Sequence, residues 1–284
     1  MLRDVSSRTR PSTRGEWLYR FRIPRMKSNF AFYLASAVVG FTVSSVAFAD
    51  GYDVTVGAGI DLAPRYLGSN EYYFLPVPLL NVTTPSGVYI GTTSGVGYKL
   101  DLPHNFYIDS SLNYAVGRKD TNETFESGSD ALRGMGDVPN ALVATVTAGY
   151  RFASVGSVSV AADVPLSNRS IGDSWRVAFE VPMLVTASDV LTTKTAVHLG
   201  SATYNQTQWG VNASQSAASG FRQYSPGGGI NAVDLGLTWV HLLNRKWSVT
   251  TSGQVTRLVG DAGGSPIVQR RVSLNVATIV GYKF

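Results

Sequence analysis

Three histidines, His104, His198 and His241, are the first candidates for chemistry in this chain. A serine hydrolase needs a serine within hydrogen-bond reach of a histidine that a third polar group orients. Ser201 lies three residues after His198, but the surrounding segment reads as a strand. Residues three apart on a strand point to opposite faces, so this pair cannot act together locally. A distant serine stays open, which keeps a lipid hydrolase among the readings of the chain. His104 falls in a tight turn and His241 on a lipid-facing parity, leaving His198 as the histidine on the polar side. The absence of cysteine excludes disulfides, thiolate metal sites and cysteine nucleophiles. A phosphate-cradling glycine loop, a metal-ligand cluster and a nucleophile elbow are all missing. The "GGG" at 227–229 follows Pro226 and reads as a loop-to-strand entry. The expectation is a protein that is not an enzyme and carries no cofactor and no metal.

A second set of candidates is larger. Asp53, Asp61, Asp109, Arg151, Asp163, Arg176, Glu180, Asp234 and Arg271 share one parity within alternating segments. Such charges can line a pore, or they can pair across a narrow interior and fill it; pairing is the preferred reading. The acidic stretch "KDTNETFESGSD" (119–130) reads as a solvated loop.

These side chains must be held by strands. From Asp50 onward the apolar pattern has period two. In "YDVTVGAGIDL", Tyr52, Val54, Val56, Ala58, Ile60 and Leu62 share one face, with Asp53, Thr55, Gly57, Gly59 and Asp61 on the other. The same split recurs at 106–116, 142–152, 175–185 and 247–256. In the fourth run Trp175, Val177, Phe179, Val181, Met183 and Val185 are assigned to the lipid face. Strands of about ten residues with an aromatic near one end of the apolar face predict an all-β transmembrane antiparallel β-barrel. A soluble β-sandwich would also alternate. The mostly small residues on the polar face and the lack of long helical patterns favour the barrel.

Connection lengths set the strand number. Short turns at 84–87, 103–105, 153–157, 187–192 and 242–246 fit the periplasmic end, and longer segments at 63–72, 119–138, 167–173, 204–228 and 259–267 fit the outside. The two sets alternate if 87–102 forms two strands that turn near Ser94-Gly95, which gives about twelve strands. Those two strands have only about seven residues each, below the usual spanning length, so ten strands stays open. In "YFLPVPLLNV", Pro76 and Pro78 stand two apart and remove N–H donors toward one and the same neighbour. The seam there is expected to be weak or bulged; a bulge shaping the rim is preferred over a gate.

The first 49 residues have a different grammar. Arg22, Arg25 and Lys27 precede the uncharged run "SNFAFYLASAVVGFTVSSVAFA", which closes on Ala47-Phe48-Ala49 before Asp50. This predicts a signal peptide at 26–49 cleaved between Ala49 and Asp50, an upstream extension at 1–25 with translation starting at Met26, and an outer-membrane barrel at 50–284. A retained membrane helix is the competing reading, since about 20 apolar residues suffice to span a bilayer. Residues 1–49 also hold 8 of the 24 Lys and Arg and 2 of the 19 acidic residues, leaving 16 basic against 17 acidic groups and a net charge of −1 beyond them. The overall charge of +5 therefore belongs to the leader, and no nucleic-acid partner is expected.

At the other end, "SLNVATIVGYKF" (273–284) alternates to its last residue. Val272, Leu274, Val276, Thr278, Val280, Tyr282 and Phe284 are assigned to lipid, and Arg271, Ser273, Asn275, Gly281 and Lys283 to the interior. This segment is predicted to be the strand that closes the barrel against the first.

Motifs in the second half are more specific. "WGVNASQSAASGFRQYSPGGGI" (209–230), "GLTWVHLLNRKWSV" and "RLVGDAGGSPIVQ" (257–269) resemble the closing region of the MltA-interacting protein, or OmpV-like, family of outer-membrane proteins. "GAGIDLAPRYLGSNEYYFLPVPLL" (57–80), "YAVGRK" (114–119) and "LRGMGDV" (132–138) are similar to that family in order and spacing. Trp209 departs from it, standing where a smaller aromatic is expected. The resemblance implies a barrel in the outer membrane of a Gram-negative bacterium, bathed in outer-membrane lipid. It also implies a scaffold that joins a lytic transglycosylase to a penicillin-binding protein, with a narrow porin-like channel for small solutes as the alternative. No catalytic residues come with it. It further implies that Tyr282 and Phe284 form the terminal signal read by the barrel-assembly machinery.

Overall fold

The computed structural model describes residues 51–152 and 155–284. The leader, with the cleavage point at Ala49 and Asp50, lies outside the described residues. Period-two segments form strands because alternate side chains of a pleated backbone can serve two different solvents at once. The strands are β1 (Asp53–Pro64), β2 (Tyr72–Thr83), β3 (Val88–Gly91), β4 (Gly95–Asp101), β5 (Phe106–Ala115), β6 (Ala141–Phe152), β7 (Gly156–Pro165), β8 (Ser174–Val185), β9 (Asp189–Gly200), β10 (Gly229–Leu242), β11 (Trp247–Leu258) and β12 (Val272–Lys283). Every neighbour pair is antiparallel, and β1 meets β12, so the sheet closes into a twelve-strand barrel. Closure joins the first strand to the last, so no strand is left wholly unpaired in the bilayer.

The two faces separate as the alternation requires. On β5, Phe106, Ile108, Leu112 and Tyr114 are exposed outward while Tyr107, Asp109, Ser111 and Asn113 are buried inward. β12 repeats this, with Val272, Leu274 and Val280 outside and Ser273, Asn275 and Ile279 inside. Near the end that carries both strand termini, outward aromatics meet edge to face: Phe106 with Tyr150 at 4.9 Å, Trp247 with Tyr282 at 5.0 Å, and Tyr282 with Phe284 at 4.9 Å. Amphipathic rings gathered at one height mark a membrane interface.

Four details differ from the expectations. β2 keeps an unbroken register with β1 through Pro76 and Pro78, where a bulge is expected. The β3–β4 hairpin turns at 92–94, and β3 has only four residues. On β8 the register shifts between Pro182 and Leu184, so Met183 is an extra residue, Leu184 lies opposite the outward Leu191, and Val185 lies opposite Val190. A bulge of this kind flips the parity of whatever follows it. The long segments at the far end are also structured rather than plain loops. They contain α1 (Ala202–Trp209), α2 (Ala213–Ser219) and α3 (Gly260–Gly264). α1 starts where the Ser201 hydroxyl accepts the Tyr204 N–H at 3.1 Å, and α2 starts on a capping box between Asn212 and Gln215.

Candidate functional site

These helices and loops close the outer mouth. One apolar core joins Tyr66, Leu132, Met135, Val211 and Ile267, with Phe221 and Tyr224 packed against it. A second sets Trp209 on Ala232, Leu258 and Ala262 at the tops of β10 and β11. Full burial of each large side chain contributes about 1.5–3 kcal/mol relative to exposure, so the cap is held by packing. Hydrogen bonds tie its parts together: Tyr66 Oη donates to the Ile267 carbonyl at 2.8 Å, Ser265 Oγ to Trp209 at 2.6 Å, and Gln215 Nε2 to Met135 at 2.7 Å. Burial pushes the Tyr66 and Tyr204 hydroxyls up to about 12.

Arg118 is buried inside this cap. Its Nη1 donates to the Gln208 carbonyl at 2.8 Å, at the C-terminal end of α1 where carbonyl dipoles favour a cation. The guanidinium also stands 5.8 Å from the Tyr66 ring centre. Burial pulls its pKa down to about 10.

The acidic segment 119–130 is solvated as expected at Asn122–Glu126 and Asp130, while its buried Ser127–Ser129 anchor it to the cap. Arg118 bridges to Val138, and the Gly128 N–H donates to the Arg65 carbonyl at 2.9 Å. Asp120 Oδ2 accepts from Gly134 and Gly136 at 3.0 and 3.1 Å. Both glycines have φ in the left-handed region, 87° and 73°, which aims their N–H groups at one carboxylate. Lys119 Nζ lies 2.8 Å from Asp137, which raises the lysine pKa and lowers that of the aspartate. Asp130 is held below the usual carboxylate range by the Asn122 N–H and by Arg133. A recess of about 320 Å³ is lined by Arg118, Lys119, Glu126, Asp137 and Asn140, of which Lys119 and Asp137 pair with each other.

Beneath the cap, the candidate interior charges meet partners at several heights. At the turn end Lys283 Nζ lies 2.7 Å from Asp53, and Arg151 lies 2.7 Å from Asp101 and 4.6 Å from the Tyr107 ring centre. Deeper, Asp109 accepts from Tyr89 Oη at 2.7 Å, and Glu180 stands opposite Lys194 in register. Nearer the cap, Asp61 accepts from Asn275 at 2.8 Å and Asp163 from Thr145 at 2.6 Å. Asp234 binds His198 Nε2 at 2.6 Å and Gln254 at 2.8 Å, while Arg176 stands opposite His198. Arg271 sits elsewhere: it is exposed and precedes β12 at the outer rim.

Lys99, Asp101, Lys194 and Lys283 also belong to this interior set. The signal for Lys194 was available by stepping back in twos from His198, and for Lys99 and Asp101 by giving β4 a parity. Ser201 is engaged as a helix cap, apart from His198. His241 is on the outer wall, where Asp189 Oδ1 holds its Nδ1 at 2.8 Å and Trp239 Nε1 at 2.9 Å. His104 occupies the β4–β5 turn with φ of 59°.

A closed barrel with an apolar exterior, a polar interior and aromatics at its rim is an outer-membrane protein. The chain belongs to the MltA-interacting protein MipA family, whose match covers residues 56–284. It is 25% identical over 251 residues to the MltA-interacting protein of Escherichia coli (strain K12), covering 88% of this chain and 98% of that protein. The Shigella flexneri protein of the same name matches to the same extent. Among solved structures, the translocator domain of the autotransporter NalP from Neisseria meningitidis is similar with a TM-score of 0.42 and 10% identity, over 84% of this chain and 90% of that one.

Proposed function

We propose that the protein is a non-enzymatic scaffold that holds murein-remodelling enzymes at the periplasmic end of its barrel. The observation that carries this reading is the contrast between the two ends. The outer mouth is packed shut, whereas the turn end presents short polar connections, of which the β10–β11 turn offers exposed Leu243, Arg245 and Lys246. The relatives are named for interaction with MltA, so a lytic transglycosylase is the first partner and a penicillin-binding protein the second. Interior charges that neutralise one another support a filled lumen over a narrow solute channel. The Ser201 hydroxyl is taken up as the cap of α1, apart from His198, which supports a role without hydrolysis.

Crosslinking in cells followed by capture of the barrel tests the reading. A murein transglycosylase is expected with the native protein and several-fold less with L243E/R245E/K246E. Capture of no murein enzyme overturns the scaffold. Stepwise conductance in planar bilayers that changes with Arg151→Gln favours the channel instead.

Assembly and export are part of the same proposal. The Phe284 N–H donates to the Val54 carbonyl at 3.0 Å, and Tyr282 and Phe284 form the signal read by the barrel-assembly machinery. Deleting Phe284 is expected to deplete heat-modifiable barrel from the outer membrane; a normal level contradicts it. The leader is removed after Ala49, which N-terminal sequencing of the membrane form checks.

A further inference from the structure

The barrel wall is incomplete at one seam. β2 pairs with β1 along its whole length, from Tyr72 to Thr83, but with β3 only at Asn81–Thr83. β3 and β4 rise from the turn end and reverse at 92–94. Four residues of β3 reach about 13 Å at a rise of about 3.3 Å per residue, short of an apolar band about 25 Å tall. Among the described residues, no strand therefore lies beside 72–79 on the side away from β1. The sill of this window is the hairpin tip, where the Thr92 N–H donates to the Leu80 carbonyl at 3.0 Å and Thr92 Oγ1 to the Pro78 carbonyl at 2.8 Å. Its lintel is the acidic segment of the cap, reaching from Lys119 to Arg65.

The backbone of the open side is adapted to that gap. Because Leu80 and Pro78 turn their carbonyls to the hairpin, alternate positions Pro76 and Phe74 face the same way. Pro76 and Pro78 thus place ring nitrogens where an edge strand would offer N–H donors. An added strand, from this chain or from a second copy, would lack those donors, so the edge is poorly suited to β-augmentation. What remains compatible is a partner that asks for no hydrogen bonds.

The side chains point to the same chemistry independently. β2 is apolar on both faces, with Phe74, Pro76 and Pro78 outward and Leu75, Val77 and Leu79 inward. The inward rows of β5 and β12 are instead polar, as Asp109, Ser111 and Asn113 or Ser273 and Asn275 show. A strand apolar on both faces is one covered by apolar matter on both faces. We propose that the window between β2 and the β3–β4 hairpin seats a hydrocarbon chain of a membrane lipid from the leaflet nearer the cap, which completes the wall and reaches the inward row of β2.

The test uses the lack of cysteine in the chain. Single variants Val77→Cys, Thr147→Cys and Leu235→Cys, in the full barrel folded into bilayers, are labelled with a small fluorophore and exposed to lipids with brominated chains. Thr147 faces inward on β6 and Leu235 faces lipid on β10. Quenching of the Val77→Cys probe is expected to match Leu235→Cys and to exceed Thr147→Cys several-fold. A Val77→Cys probe that escapes the brominated chains and meets water-soluble quencher like Thr147→Cys overturns the proposal. So does efficient disulfide dimerisation of Thr93→Cys, which would put a second copy in the window. If labelled Val77→Cys fails to give a heat-modifiable barrel, Leu79→Cys reads the same row. The window opens to the bilayer and the scaffold reading concerns the turns, so either can fail alone.

Discussion

The hairpin of β1 and β2 is held very differently on its two sides. β1 joins β12 through consecutive partners from Thr55–Lys283 to Leu62–Val276, whereas β2 joins β3 at three positions. At the closing seam the backbones come so close that a Cβ on Gly59 would stand 2.2 Å from the Thr278 carbonyl oxygen and 2.7 Å from the Ile279 Cα. At the window seam two prolines stand where donors would be. The difference teaches that a strand in a barrel can be anchored by one ladder alone where prolines on its free side remove some of its N–H donors. Pro182 illustrates the other solution, in which the strand keeps its partner and takes up a bulge at Met183.

Breaking the strong side should have the largest effect. Gly59→Val is expected to stop closure, because the obstacle is backbone and cannot rotate away. Loss of heat-modifiable mobility on gels and loss of outer-membrane material would register it; a normal barrel would mean that β12 can retreat. Next comes the cap above the hairpin, where Leu132→Ala should cost about 2–5 kcal/mol. Protease cleavage within 119–138 should rise, with the transmembrane strands still protected.

Restoring donors on the weak side is a finer probe. P76V/P78V adds two N–H groups facing hydrocarbon, each costing about 1–3 kcal/mol if left unpaired. Lower resistance to urea in bilayers is expected, together with more crosslinked dimer through the restored edge; no change in either would show the edge already covered by protein.

Acid should loosen the lintel before the wall. The Asp130 and Asp137 pKa values are depressed in the fold, so their contribution is complete above the unfolded aspartate value near 3.8 and is lost as pH falls through the still lower folded values. Proteolysis or hydrogen exchange of 119–138 should therefore be flat above about pH 5 and rise below about pH 4. The smallest effect belongs to Lys119→Ala. Its exposed pair with Asp137 is worth about 0.2–1 kcal/mol, detectable as slightly faster exchange of that loop at low salt and as nothing at high salt.

Much of the wall was legible because side-chain parity is local. The alternation of Phe106 to Ala115 or of Val272 to Lys283 follows from the pleat, and so does the inward placement of Asp109, Arg151 and Asp234. The count of twelve also followed, since long and short connections must alternate between two ends. The cap was not legible, because Tyr66, Leu132, Val211 and Ile267 come from separate segments whose meeting no local pattern announces. The acidic segment is solvated at 122–126 as its composition suggests, but its anchoring was not legible: Asp120 finds Gly134 and Gly136 only once the loop has folded back on itself.

Apart from the β8 bulge and Arg271, the chain by itself determined which strand residues face lipid, which face inward, and that a closed antiparallel barrel is the form that satisfies both sets. These follow from period, length and the requirement that every backbone group in a bilayer find a partner. Tertiary structure alone decided at what height each inward charge stands, and therefore that Arg151 meets Asp101, Lys283 meets Asp53 and His198 meets Asp234. Those heights depend on the stagger between strands far apart in sequence. The same stagger decided that the hairpin at 88–101 stops partway up the wall, turning the two prolines from a local irregularity into the side of a window.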